Sequence, residues 1–191
     1  MSMPAHSHAP TGWTVDMLEA LPDDGNRYEI IDGELIVSPS PGPVHQRALR
    51  LFTMLLVPYV DEGRRAELFF APADVIFTPR DVVEPDILVV PHTAGPLPRR
   101  WEDVGRLLLA VEILSPSSEY NDRQRKLRLY RRERVPEYWI VSCDGRVVER
   151  WRPDDERPEV LAETLSWQPF EGHAPLEIDL VRFFARVHGE D

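Results

Sequence analysis

Residues 107–114 read LLLAVEIL and form the most apolar run of the chain. A continuous apolar run of this length predicts a central strand that is buried on both faces. Residues 121–135, NDRQRKLRLYRRERV, follow it with apolar residues at helical spacing, and residues 136–142, PEYWIVS, are typical of a strand. This succession of strand, helix and strand predicts the centre of a mixed sheet that is flanked by helices.

The sequence on either side predicts further hairpins and helices. RYEIIDGELIVS at residues 27–38 predicts a hairpin, because Asp32-Gly33 suits a type I′ turn. Residues 44–59 predict a helix that ends at Pro58, residues 159–165 a strand, and residues 177–187 a C-terminal cap. We therefore expect an α/β (mixed α+β) fold with extra β-hairpins. Residues 1–12 are predicted to be a flexible tail, and residues 13–187 a single domain.

Composition narrows the function classes. The 191 residues include 22 Lys and Arg against 33 Asp and Glu, which gives a net charge of −11, and the one cysteine is Cys143. A disulfide framework and a cysteine-based zinc site are therefore excluded. We find no signal peptide and no apolar run of about 20 residues, and we predict a cytoplasmic protein without a membrane segment. The acidic balance argues against broad coating of nucleic acid, but it allows an acidic cluster that needs a divalent cation.

Three acids occur where a sheet should be apolar. Asp86 opens the strand DILVV, Glu112 lies inside LLLAVEIL, and Glu34 lies in the second strand of the first hairpin. A carboxylate in a buried strand is costly unless it is paired, hydrogen-bonded or bound to a metal. The alternatives are a structural ion pair for Glu112, a solvated edge for Glu34 and a strand cap for Asp86.

Lys126 is the one lysine among the 22 basic residues. Helical projection places it in the apolar arc beside Leu129 and Tyr130, which faces the sheet. Arginine and lysine are not interchangeable, because lysine is a compact point charge. A lysine that snorkels along the helix flank, or one that survived a codon bias by chance, is the alternative. Arginines lie on the opposite side of the projection and form an exposed basic face: Arg125, Arg128 and Arg132.

Two carboxylates and a lysine suit the hydrolysis of a phosphodiester. Asp86 and Glu112 would bind Mg²⁺ or Mn²⁺ as a hard cation. Such a cation polarises a phosphoryl oxygen and lowers the pKa of a bound water, while the ammonium of Lys126 orients that water or stabilises developing charge. Arginines of the basic face would contact the phosphates of the nucleic acid: Arg125, Arg128 and Arg132.

The sequence resembles the Uma2 family (domain of unknown function 820), a branch of the PD-(D/E)xK nuclease superfamily. The segments that carry the resemblance are YEIIDGELIVSPSPGPVHQ, EPDILVV and AVEILSPSSEYNDRQRKLRLYRRERVPEYWIV. It implies a restriction-endonuclease-like core, with Pro85-Asp86 as the PD element and Glu112 as the second acid. The superfamily lysine would fall at Leu114, so Lys126 on the helix takes its place.

The same resemblance implies two auxiliary residues. Glu34 matches the acid of the family's GEL segment. His45 matches a histidine that follows the Pro-rich loop SPSPGP, residues 38–43 of this sequence. Whether His45 is a ligand or a polar residue at a helix N-terminus stays open.

These observations predict a metal-dependent endonuclease that acts on nucleic acid, with DNA as the expected substrate, as a homodimer. The alternative is a catalytically silent, dimeric binding module that keeps the nuclease fold. For the enzyme, we expect Asp86 and Glu112 to lie close enough to share one cation, with the ammonium of Lys126 over the pair. We also expect an upward pKa shift for Glu112 unless Lys126 offsets it.

Overall fold

The structure is a computed structural model that describes residues 12–92, 99–104 and 106–190. The tail predicted at residues 1–12 lies outside the described residues except for Gly12, and so do residues 93–98 of the Pro-rich segment PHTAGPLPRR, which the sequence predicts to be a surface loop. In chain order, the helices and strands are α1 (Val15–Leu18), β1 (Arg27–Ile31), β2 (Glu34–Ser38), α2 (Pro43–Asp61), β3 (Ala66–Phe70), β4 (Val75–Thr78), β5 (Asp81–Val83), β6 (Ile87–Pro91), β7 (Leu109–Ile113), a π-helical segment (Asn121–Lys126), α3 (Leu127–Arg132), β8 (Glu137–Ser142), β9 (Val147–Trp151), β10 (Glu159–Leu161), β11 (Thr164–Trp167), β12 (Leu176–Asp179) and α4 (Leu180–His188). Short 3₁₀ turns span Glu62–Arg64 and Trp101–Asp103.

A six-stranded sheet in the order β10-β9-β8-β7-β6-β3 forms the centre of the fold. Strands β7 and β8 run parallel and the other neighbours are antiparallel, so the sheet is mixed as predicted. The chain reaches β8 from β7 through the π-helical segment and α3, which is the kind of helical crossover that parallel strands need. The first hairpin belongs to a second, four-stranded sheet in the order β2-β1-β5-β4, and β11 pairs with β12.

The central sheet carries a hydrophobic core on each face. Val111 and Ile113 of β7 pack in the core that contains residues of α2 and α4. Ala110 lies in the other core, which contains residues of the four-stranded sheet and α3. Because side chains alternate along a strand, Glu112 points into the second core with Ala110. The predicted strand with two buried faces is therefore confirmed, and it aims one carboxylate at α3.

The first hairpin forms as its turn residues predict. Asp32 and Gly33 have φ values of 53° and 77°, the two positive φ values that a type I′ turn requires. Strand β1 pairs with β2 from Arg27↔Ser38 to Ile31↔Glu34. This register places Glu29 opposite Ile36, on a side of the hairpin that is buried.

Helix α2 continues beyond the end that we predicted at Pro58. A proline removes the hydrogen bond to the carbonyl four residues earlier, here that of Met54. Met54 is 56% exposed, so that carbonyl lies toward the solvent side, where water can replace the lost bond. Leu56 and Val60 are buried in the core on the opposite side. Packing of this apolar stripe therefore holds the helix together as far as Asp61.

The single strand predicted at residues 159–165 is wrong, because the chain turns within it. Strand β10 pairs with β9 and ends at Leu161, and β11 begins at Thr164 and pairs with β12. The new pairing carries Leu165 into the core beside α4.

The helix predicted over residues 121–135 forms, but its first part is wider than an α-helix. Asn121–Lys126 is π-helical and Leu127–Arg132 is α-helical. Short π-helical segments occur often at functional sites. In the described part of the chain, no helix combines the length and the apolar composition that crossing a membrane requires.

Candidate active site

A cleft of about 220 Å³ opens where β7 ends and β6 begins. Its rim consists of small and polar residues from two loops, residues 38–42 and 115–118, together with Asn121. Seven charged or titratable side chains line it: Arg27, Glu29, His45, Asp86, Glu112, Asp122 and Lys126. The structure therefore brings Asp86, Glu112, Lys126 and His45 of the sequence prediction into one cleft.

Asp86 and Glu112 lie on neighbouring antiparallel strands. The register pairs Ile87 with Val111, and its continuation by one residue places Asp86 opposite Glu112. Both side chains line the same cleft and both are 1% exposed. Directly opposed residues have Cβ atoms about 4.5–5.5 Å apart, which suits two carboxylates that share one cation. The structure therefore places both carboxylates on the same side of the sheet, and their sharing of one cation stays a prediction.

Asp86 is held by three hydrogen-bonding groups. Arg27 Nη2 donates to Oδ1 at 3.0 Å, and the backbone N–H of Ile113 donates to Oδ2 at 2.7 Å. Nε2 of His45 lies 2.9 Å from Oδ2. Burial alone would raise the pKa of Asp86, but His45, Arg27 and the Ile113 amide outweigh it and lower this pKa to about 2. Asp86 is therefore a carboxylate that keeps its charge.

Lys126 lies among three other buried carboxylates. Its Nζ donates to Oε1 of Glu112 at 2.9 Å and lies 2.8 Å from Oε1 of Glu29. Oδ1 of Asp122, one helical turn earlier, is 3.5 Å away. Burial on its own lowers the pKa of Lys126, but these three carboxylates raise it well above its ordinary value. The ammonium is thus permanently charged.

The predicted position of Lys126 over the Asp86–Glu112 pair is only half correct. The ammonium contacts Glu112, but its second close partner is Glu29 and not Asp86. Asp86 instead pairs with Arg27 and contacts His45. This difference arises because the four-stranded sheet brings Glu29 and Arg27 of β1 to the cleft that Glu112 lines.

Sequence reasoning missed Glu29 and Arg27. Glu29 also accepts the backbone N–H of Glu84 at 2.8 Å, which ties β1 to the residues before β6. The signal was present, since Glu29 interrupts the apolar run YEII as Glu112 interrupts LLLAVEIL. Strand alternation places Glu29 with Ile31, which is buried, on the inner side of the hairpin.

At Glu112, burial opposes the charged form of the carboxyl group. Burial raises its pKa well above the usual value, and Asp122, Asp86 and Glu29 add to the rise, while Lys126 opposes it. The predicted upward shift is confirmed, and Lys126 does not offset it. The hydroxyl of Tyr130 donates to Oε1 at 3.2 Å, the same oxygen that Lys126 contacts.

The remaining predicted residues lie outside the buried cluster. Glu34 is 68% exposed and pairs with Arg125, with Nη1 and Oε2 2.9 Å apart. Arg132 is paired with acids of the four-stranded sheet, Asp32 and Asp81, and Arg128 is exposed and donates to a backbone carbonyl of its own helix. The arginine face is therefore largely engaged with acids of the same chain.

Two features of the cleft suit a divalent cation: its excess of negative charge, and the carboxylate of Asp122, which makes no close hydrogen bond with a described residue. Four buried carboxylates (Glu29, Asp86, Glu112 and Asp122) face two permanent cations (Arg27 and Lys126), an excess of two negative charges when all are ionised. Among the described residues, Asp122 makes no close hydrogen bond through either carboxylate oxygen, and Nζ of Lys126 lies 3.5 Å from its Oδ1. Burial raises the pKa of Asp122 as well. A cation of charge two would offset this excess.

The ligand geometry restricts which cation fits. Within residues 12–92, 99–104 and 106–190, no group of three or more His, Cys, Asp or Glu side chains is arranged to hold a metal ion. This argues against a closed, all-protein site such as structural zinc. Mg²⁺ usually takes one or two carboxylates and completes its octahedron with water and substrate phosphate. Asp86 and Glu112 supply two such carboxylates.

Comparison with known proteins identifies the family and the fold of this chain. The family model described as "Uma2: Putative restriction endonuclease" matches residues 15–180, and the chain belongs to the Uma2 family. No curated protein is similar enough in sequence to match. The fold is similar to the crystal structure of a "putative nuclease belonging to DUF820" from Anabaena variabilis ATCC 29413, with a TM-score of 0.72 and 21% sequence identity. That match covers 91% of this chain and 98% of the other.

Proposed function

We propose that this chain is a divalent-metal-dependent nuclease that hydrolyses phosphodiester bonds, with DNA as its expected substrate, at the cleft between Asp86 and Glu112. The observation that carries the proposal is the excess of negative charge in a buried cluster around the chain's one lysine. Membership of a family described as restriction endonucleases supports the same reaction class. Mg²⁺ or Mn²⁺ is the proposed cofactor.

Asp86 and Glu112 are the proposed metal ligands. A bound cation would polarise a phosphoryl oxygen and lower the pKa of a coordinated water. Arg27 and His45 keep Asp86 ionised, so this ligand is ready across the physiological pH range. Glu112 must lose its proton before it can act as a ligand, because its pKa is raised by burial.

Lys126 is the proposed electrostatic group. Its raised pKa excludes it as a general base near neutral pH, since it holds its proton. An ammonium has three N–H donors, and two of them meet Glu29 and Glu112 at hydrogen-bond distance. The third contact, with Asp122, is long at 3.5 Å. This is the donor that could turn to the nucleophilic water or to an oxygen of the phosphate.

The proposal is tested by cleavage of plasmid, single-stranded DNA and RNA in Mg²⁺, Mn²⁺ or EDTA. We expect cleavage only with a divalent cation. We expect Asp86→Asn and Glu112→Gln each to lower the cleavage rate about 100-fold or more. Glu163→Gln is the matched control, because Glu163 is exposed and is not among the residues that line the cleft. Circular dichroism confirms that each variant folds.

The catalytically silent module is the competing function, and one observation favours it. Both permanent cations of the cleft form ion pairs with carboxylates of the same chain, as they would in a purely structural cluster. A folded wild-type protein that cleaves none of these substrates with either metal, and that binds no Mg²⁺ in calorimetry, would establish the silent module.

A further inference from the structure

Oε1 of Glu112 is the acceptor of two buried hydrogen bonds. Nζ of Lys126 donates to it at 2.9 Å, and the hydroxyl of Tyr130 donates to it at 3.2 Å. Since a carboxylate oxygen offers about two lone pairs, these two donors satisfy Oε1. No donor from the part of the chain that the structure describes reaches Oε2. The two oxygens therefore differ, and Oε2 is the one that remains for a further ligand.

We infer that Tyr130 is a positioning residue of the proposed metal site, because its hydroxyl holds Oε1 of Glu112 and so leaves Oε2 to bind the cation. This inference rests on the proposed nuclease function and deepens it by naming the ligand atom and the side chain that selects it. Tyr130 is not among the residues that line the cleft, so it acts through Glu112 and not on the substrate. Hydrogen-bond partners of this kind orient a metal ligand, and their loss costs about 10- to 100-fold in metal affinity.

Lys126 alone leaves the choice of oxygen open. Its ammonium is a compact charge on a flexible stem, and it is shared with Glu29 and Asp122. Tyr130 follows Lys126 by four residues, so helical spacing brings both side chains to the same face, toward Glu112. A phenol carries a single O–H on a rigid ring, so the place of the ring decides which oxygen it meets.

Packing fixes the ring of Tyr130. The side chain is 1% exposed, and its ring centroid lies 4.6 Å from that of Tyr138. Phe77 meets the ring edge to face, with the centroids 6.1 Å apart. The backbone carbonyl of Tyr130 accepts the N–H of Val135 at 2.9 Å. The hydroxyl is therefore held in one place relative to β7, which is what the orientation of Glu112 requires.

Tyr138 supplies a matched control within the same aromatic pair. It is 2% exposed, and its hydroxyl donates to the backbone carbonyl of Asp122 at 3.0 Å. That bond supports the π-helical segment and reaches no carboxylate. Removal of the Tyr138 hydroxyl thus reproduces the loss of one buried hydrogen bond, with the contact between Tyr130 and Glu112 left in place.

The experiment measures the Kd of Mn²⁺ by isothermal titration calorimetry in the wild type, Tyr130→Phe and Tyr138→Phe. We expect Tyr130→Phe to raise Kd about tenfold or more and Tyr138→Phe to leave it little changed. The Mn²⁺ concentration that gives half-maximal cleavage should rise by the same factor in Tyr130→Phe, with cleavage recovered at higher Mn²⁺. Urea titrations should show similar losses of stability in both variants, because each loses one buried hydrogen bond.

The outcomes separate this inference from the proposed function. A wild type that binds Mn²⁺ with the same Kd as Tyr130→Phe overturns the role of Tyr130 and leaves the metal site intact. Equal losses of affinity in the two variants also overturn it, since the effect would then come from the weakened core. A folded wild type that binds no Mn²⁺ overturns the proposed metal-dependent function, and this inference with it.

The wild type alone gives a second test, which does not depend on how the variants fold. In crystals soaked with Mn²⁺, the anomalous signal locates the ion relative to Glu112. We expect Oε2 to be the coordinating oxygen and Oε1 to keep its hydrogen bonds from Tyr130 and Lys126. Coordination through Oε1 overturns the inference alone, and an ion bound away from Glu112 overturns the assignment of this ligand as well.

Discussion

Nζ of Lys126 lies 2.8 Å from Oε1 of Glu29, and both side chains are 2% exposed. This contact joins the π-helical segment that follows the central strand to the first strand of the separate four-stranded sheet. The same ammonium bonds to Glu112 of the central sheet. One lysine therefore connects the two sheets and the helix that cover the cleft, which is a structural role beside the chemical one proposed above.

Replacement of Lys126 by Met should destabilise the protein by about 3–5 kcal/mol at neutral pH, because it leaves buried carboxylates without their cation. The free energy of unfolding from urea titration measures this. The control is Arg128→Met on the same helix, whose side chain is exposed and which we expect to change stability by about 0.5 kcal/mol or less. Equal effects of the two substitutions would show that the buried ion pairs contribute nothing.

Glu29 and Glu34 are the two glutamates of the first hairpin, and only Glu29 lines the cleft. We expect Glu29→Gln to lower any metal-dependent cleavage about tenfold or more, because the partner charge of Lys126 is lost and the ammonium shifts toward Glu112. Glu34→Gln should have a small effect, since its pair with Arg125 is exposed. A larger loss of rate in Glu34→Gln than in Glu29→Gln would show that Glu34 contributes to the site. Matched kinetics of both variants decide between them.

Glu112 should make the metal-free protein less stable as pH rises. Burial raises its folded-state pKa above the unfolded value of 4.5, so the folded chain binds this proton more tightly than the unfolded chain does. The free energy of unfolding then falls as pH rises from about 4.5 through the folded-state pKa, by at most about 1.4 kcal/mol per pH unit for one group. Asp122 contributes in the same direction.

Glu112→Gln tests this linkage in EDTA by urea titrations across the pH range. We expect the fall of stability with pH to be smaller in this variant than in the wild type, and Glu163→Gln to leave it unchanged. Asp86 has the opposite sign, because its pKa is lowered to about 2 and its stabilisation is lost only as pH falls from 3.8 toward that value. A wild-type stability that rises between pH 5 and 8 would contradict the linkage proposed for Glu112.

Local patterns in the sequence predicted most of the central fold. The Asp32-Gly33 turn, the apolar strand with Glu112 and the helix with Lys126 all depend on residues near in sequence, whose periodicity sets burial. The continuation of α2 past Pro58 was missed because the packing of Val60 against residues distant in sequence overrides the proline.

The site was predictable where it lay on the central sheet and not where a second sheet completed it. Asp86 opens one apolar strand and Glu112 interrupts the next, so the sequence itself singles out both acids as candidates. Glu29 and Arg27 reach the cleft because the four-stranded sheet shares the second core with the central sheet, an arrangement that no local pattern contains. Glu34 was predicted as a site residue in place of Glu29 for the same reason. Both are acids of one hairpin, and only tertiary packing decides which of them is buried.

Binding of a divalent cation should release protons and should strengthen as pH rises. Glu112 holds its proton more tightly than an exposed glutamate, because of burial and three neighbouring acids, and it must lose that proton to become a ligand. Isothermal titration of Mn²⁺ in buffers of different ionisation enthalpy near pH 6–7 measures the number of protons released. We expect up to one proton per metal in the wild type and a strongly reduced affinity in both Asp86→Asn and Glu112→Gln. The melting temperature should rise in Mn²⁺ and return to its starting value in EDTA if the folded state is the one that binds. At a Mn²⁺ concentration of a hundred times Kd, the expected stabilisation is about 2.7 kcal/mol. Binding with no proton release at any pH would place the cation on groups other than Glu112.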